Sequence, residues 1–168
     1  MPAARAAAIL LGVTTALFVV GNAHATMVRG HVPLATVTAE SGRIVHASVT
    51  DVISGWDDRG LPATWVTLAV MRTLKGTHGS RLVVKQFGVM EPLPDGTITA
   101  LPDMPRYRVG DEVVLFLRPE SAHGFTSPVG MRDGVYRVDA GHRVAHAAGR
   151  AGQDIDSFLA GVAILVGR

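Results

Sequence analysis

The sequence predicts a mainly β fold: a small antiparallel barrel or half-open sandwich with an α-helix at its C-terminal end. Three observations predict it. From Arg43 to Phe87, apolar residues recur at every second position in three successive runs. "VVLFL" (Val113–Leu117) is continuously apolar, the pattern of a strand covered on both faces. From Asp154 onward, "DIDSFLAGVAILVGR" switches to helical spacing.

The chain opens "MPAARAAAILLGVTTALFVVGNAHAT", with one charge at Arg5, an apolar stretch from Ala6 to Val20, and an A-x-A pattern at Ala23 and Ala25. That is the grammar of a secretory signal peptide over residues 1–25, and the apolar core is short for a membrane span. The expected mature chain has 143 residues, one domain's worth, and is secreted or periplasmic with no membrane attachment after cleavage. It has no cysteine, which excludes a disulfide framework, thiol catalysis and lipidation at a new N-terminus. Fifteen basic residues face 14 acidic ones and are spread singly along it, so no nucleic-acid partner is expected.

Residues 26–42 read as a leader in which Leu34–Gly42 forms a short helical turn. The barrel is expected over 43–147. In "RIVHASVTDVIS", Val45, Ala47, Val49 and Ile53 form one apolar face. "GWDDRGLP" is a turn, and it contains Trp56. In the next strand Val66, Leu68, Val70 and Leu74 share one face; after the turn "KGTHG", Leu82 and Val84 share one face of the third strand, giving a hairpin. Residues 88–108 break the pattern with four prolines, and a connection of that length is functional or disordered more often than not. After "VVLFL", the segment from Gly124 gives two or three short strands with turns at "RDG" and "DAG". Residues 148–168 form the helix, with Asp154 as N-cap and Ile155, Phe158, Leu159, Val162, Leu165 and Val166 facing the sheet.

The phrases "IVHASV", "VMRTLKG", "LVVKQFG" and "YRVGDEVVLFL" resemble, in order, the strand motifs of a set of secreted bacterial proteins, over Val45 to about Val138. The same order is similar to the OB-like barrel of netrin and tissue-inhibitor-of-metalloproteinase domains. That resemblance implies an OB-like β-barrel. The inhibitors' zinc-directed N-terminal cysteine has no counterpart here, so their chemistry is not implied.

No catalytic motif is present. There is no G-x-S-x-G and no HExxH, so neither serine hydrolysis nor a zinc protease is expected. "HRVAH" puts His142 and His146 four apart, with His46, His78 and His123 scattered; all are read as solvated histidines, and no metal or other cofactor is expected. The pairs Asp57–Asp58 and Asp111–Glu112 are read as solvated turn residues. The candidate contact surface is the long loop, through Met90, Leu93, Ile98, Leu101, Met104 and Tyr107, unless that loop is a lid over its own barrel. The expected function is a non-enzymatic domain that binds another exported macromolecule, a protein, with oligomeric state open; the inhibitor resemblance alone implies a protease as that partner. A carbohydrate- or envelope-binding module and an enzyme of unrecognised type are the alternatives; the former calls for exposed aromatics on one sheet face, and Trp56 and Trp65 are the only tryptophans.

Overall fold

The computed structural model describes residues 31–77, 79–146 and 152–167. The expected signal peptide, the leader up to residue 30, His78, and the junction at 147–151 lie outside the described residues. Helix α1 (Leu34–Glu40) comes first, followed by β1 (Arg43–Trp56), β2 (Pro62–Lys75), β3 (Arg81–Phe87), β4 (Glu112–Leu117), a 3-10 turn (Met131–Gly134), β5 (Val135–Val138), β6 (Arg143–His146), β7 (Gln153–Asp154) and helix α2 (Ile155–Val166). The seven strands form one antiparallel sheet in the order β3-β2-β1-β4-β5-β6-β7. β3 and β7 are its two ends, so the sheet is not closed into a barrel. No described helix is long and apolar enough to cross a membrane.

The first four strands form a Greek key: β1, β2 and β3 follow one another as hairpins, and β4 returns to lie beside β1. With strands about 4.8 Å apart, the chain must cross roughly 14 Å of sheet between the end of β3 and the start of β4. This gives the long segment 88–108 a structural task.

Two cores lie on opposite faces of the sheet. One gathers Val45, Ala47, Val49, Val66, Leu68, Leu82, Val84, Val113, Leu115, Leu117 and Val135, with Tyr107 from the crossover. The other gathers Ile44, Val114, Phe116, Tyr136 and Val144 against Val37 of α1 and Ile155, Phe158, Leu159 and Val162 of α2. β4 divides its side chains between the two, and Val113 to Leu117 are all fully buried. Its continuous apolarity follows from that double burial. Phe116 packs among Tyr136 and Phe158, with centroids 5.4 and 6.5 Å away.

α2 begins where expected: the Asp154 carboxylate accepts the Ser157 amide at 3.1 Å. α1 has no acidic first turn and no basic last turn. Its C-terminal carbonyls are instead met from the sheet, where Lys75 Nζ donates to Thr38 and Ala39 at 3.0 and 3.2 Å.

Several placements differ from simple alternation. A bulge at Thr50 separates the pairs Val49↔Leu68 and Asp51↔Thr67. One extra residue reverses every side chain beyond it. Val52 therefore packs on the first core, and Ile53, expected there, is 56% exposed. Irregularities around Met71 and Leu74 likewise send Leu74 to the helix-covered core while Val70 stays on the first. Trp56 ends β1 rather than lying in a turn, which narrows to Asp57–Leu61. The "RDG" signal is a 3-10 turn leading into β5, not a hairpin, whereas "DAG" does join β5 to β6. The segment before it forms only an isolated bridge, Leu117↔Pro128.

Candidate functional site

The crossover is a structured loop. Gly88 starts it with φ of +98°, and a Cβ there would sit 2.4 Å from the Thr99 carbonyl oxygen. Only glycine accepts both conditions. Val89 and Thr99 form an isolated antiparallel bridge, and inside it Leu93 donates to Thr97 at 2.9 Å. The tip Pro94–Gly96 is fixed by Asp95, whose carboxylate accepts the Thr97 amide at 3.0 Å. That bond, with help from the Trp56 indole, holds the Asp95 carboxyl below its ordinary value. Gly88 also accepts the Thr64 hydroxyl at 2.8 Å, and Pro105 accepts from Gln86 Nε2 at 3.4 Å. The segment is thus tied to β2 and β3 at both ends.

The six candidate contact residues divide. Leu93, Met104 and Tyr107 are buried, and Tyr107 belongs to the first core. They anchor the segment, and the little they expose lines the clefts beside it. Met90 and Leu101 are half-buried, and Ile98 is 57% exposed. Met90 helps line a cleft of about 440 Å³ that reaches Val52, Ser54 and Thr64. Leu101 lines another of about 320 Å³ that ends on Phe87 and Phe125. Two buried polar atoms at the base of the segment, Tyr107 Oη and Gln86 Oε1, have no hydrogen-bond partner among the described residues. Burial pushes the Tyr107 phenol far up, against a smaller opposing pull from Arg137.

Of the acidic pairs, Asp58 is exposed as expected, but Asp57, Asp111 and Glu112 are not simply solvated. Asp57 accepts the amides of Arg59 and Leu61 at 2.9 and 2.7 Å and Lys85 Nζ at 2.8 Å. Asp111 accepts the Arg108 amide at 2.9 Å and pairs with Arg137. Glu112 Oε1 lies 2.7 Å from His46 Nε2 on the same sheet face. The turn amides are local, but Lys85, Arg137 and His46 come from strands 26 to 66 residues away, and turn composition gave no hint of them.

The histidines also part company. His142 has φ of +58° in the exposed β5–β6 turn. His123 contacts Arg59. His146, which the spacing paired with His142, instead meets His31, with ring centroids 4.2 Å apart. Asp133 of the 3-10 turn stands between them: its Oδ1 is 3.2 Å from His31 Nδ1 and 3.7 Å from His146 Nε2. Neither His31 nor Asp133 stands out in the sequence. His31 precedes α1 without any periodic context, and Asp133 reads as a turn residue. The cluster borders a cleft of about 470 Å³ lined by Leu34, Tyr136, Val144, Gln153 and Phe158.

No protein-family model matches this chain, and a search of curated proteins gives no match either.

Proposed function

We propose that the chain is an exported, non-enzymatic binding domain that recognises another exported protein through the rim built by residues 88–108. The observation that carries this reading is the construction of that segment. Leu93, Met104 and Tyr107 anchor it, while Ile98 stands out at the surface and Met90 and Leu101 form cleft walls. A loop ordered before contact loses little entropy on binding, and methionine adapts to varied apolar surfaces. Export is supported by the A-x-A leader.

The finer fold reading, an OB-like barrel of the netrin and inhibitor type, is supported by two features. β1 to β5 share one interior face, and their first four members are in Greek-key order. OB barrels are five-stranded, partly open Greek keys that bind through loops and one sheet face. A protease as partner rests on that resemblance alone. The carbohydrate-module alternative is weakened by the register, because Trp56 pairs with Pro62 and Trp65 with Ile53, which puts the two indoles on opposite faces.

The test is a cross-linking pull-down from the exported fraction of the host, with the intact chain and an Ile98→Asp/Leu101→Asp variant as baits. The expected result is one protein captured by the intact chain and lost with the variant, at an unchanged unfolding midpoint. Capture that ignores the substitutions, or no capture, removes the rim as the contact surface.

A further inference from the structure

We propose that His31 Nδ1, Asp133 Oδ1 and His146 Nε2 form a three-ligand site for a divalent transition-metal ion of the zinc type, beside the cleft walled by Tyr136 and Phe158. The inference is independent of the rim and its partner. Two imidazoles and one carboxylate are a donor set that suits zinc and its neighbours and leaves a fourth position for water or a ligand.

The spacing fits. An ion held tetrahedrally at about 2.0–2.1 Å needs donor atoms about 3.3 Å apart. Here two of the three separations are 3.2 and 3.7 Å, and all three donors lie within 4.8 Å of one another. The remaining adjustment falls on His31, whose side chain is 38% exposed and can turn, while that of His146 is 8% exposed.

The surroundings aim the donors. Asp133 Oδ2 accepts the Val32 amide at 3.3 Å, which orients the carboxylate and leaves Oδ1 toward the histidines. Such outer contacts are what fix metal-binding carboxylates. The His146 ring is set by the edge of Tyr136, with centroids 4.8 Å apart. The 3-10 turn that presents Asp133 closes on Gly134, where a Cβ would fall 2.6 Å from the Val129 carbonyl oxygen. Asp133 is thus placed by a tight turn locked at the buried Gly134. His146 Nε2 also lies 3.3 Å from the Asp133 carbonyl oxygen, a contact that an ion on Nε2 would replace. An ion bound here would fasten the segment before α1 to β6 and to the turn before β5.

The untagged full chain, stripped with chelator, is titrated with zinc chloride by calorimetry and, separately, followed by thermal unfolding. The expected result is one ion per chain, a raised unfolding midpoint, and no comparable response to magnesium chloride. His31→Ala and His146→Ala should each weaken zinc at least about 100-fold, beyond what loss of an outer contact costs. His142→Ala should bind as the unaltered chain does. Asp133→Asn also touches the Val32 bond, so the exposed His31→Ala carries the decision, with circular dichroism confirming its fold. No saturable zinc binding, full affinity in folded His31→Ala, or equal loss in His142→Ala would overturn the site.

Discussion

Lys85 Nζ lies 2.8 Å from Asp57 Oδ2, joining β3 to the β1–β2 turn through a carboxylate whose side chain is only 1% exposed. The same ammonium sits 4.2 Å from the centroid of the Phe125 ring. Asp57 is held below its ordinary value of 3.8, first by the Lys85 bond, against desolvation, and then by the Leu61 and Arg59 amides. A depressed carboxyl contributes stability that is complete above the unfolded value and is lost as pH falls through the folded one. Asp57→Asn should therefore lower the urea midpoint at neutral pH, and its deficit should shrink below about pH 4. A deficit that stays constant down to strong acid would show that the pair contributes no charge-dependent stability.

Gly88 and Gly96 both have positive φ, at +98° and +82°, but only Gly88 has an atom where a Cβ would go. Gly96→Ala should cost about 1 kcal/mol, the backbone strain alone. Gly88→Ala adds a collision with Thr99 and should cost about 3 kcal/mol. Chemical denaturation of the two variants makes the comparison. Equal costs would mean that the Val89–Thr99 bridge is open in solution.

The chain has two tyrosines, and both are buried. Burial raises the Tyr136 phenol to about 12, with a smaller push from Asp133, and raises Tyr107 further. A raised phenol favours the folded chain fully below the unfolded value of 10, and that contribution fades as pH climbs toward the folded value. Phenolate absorbance should therefore stay absent near pH 10 and appear together with unfolding at higher pH. A tyrosinate forming near pH 10 in the folded chain would contradict the packing of β5 or of the crossover.

The strands and α2 were legible because periodicity and capping are local. Val113–Leu117 reads as doubly buried and is; Asp154 reads as an N-cap and is one. Ile53 was misplaced because the bulge at Thr50 leaves no mark in an alternating run. Leu93, Met104 and Tyr107 could not be sorted from Ile98, since apolar residues among prolines look alike until the chain folds back. The His31–Asp133–His146 cluster was out of reach for a different reason. His31 and Asp133 are 102 residues apart, and what joins them is the packing of the segment before α1 against the 3-10 turn. Spacing suggested the nearer partner His142, which the β5–β6 turn points elsewhere.

The Greek-key return makes the pairing of β1 with β4 a long-range event: Arg43 meets Leu117, 74 residues on. Closing so large a loop is slow, and β4 is expected to join late in folding. Yet closure entropy grows only with the logarithm of length. Ten residues removed from the crossover would change it by about 0.1 kcal/mol. The anchors Val89, Leu93, Thr99, Met104 and Tyr107 are held to their places, but the exposed tip Pro94–Gly96 inside the bridge carries little of that closure cost. Residues added at that tip would change the closure entropy little and leave the anchors beneath it in place.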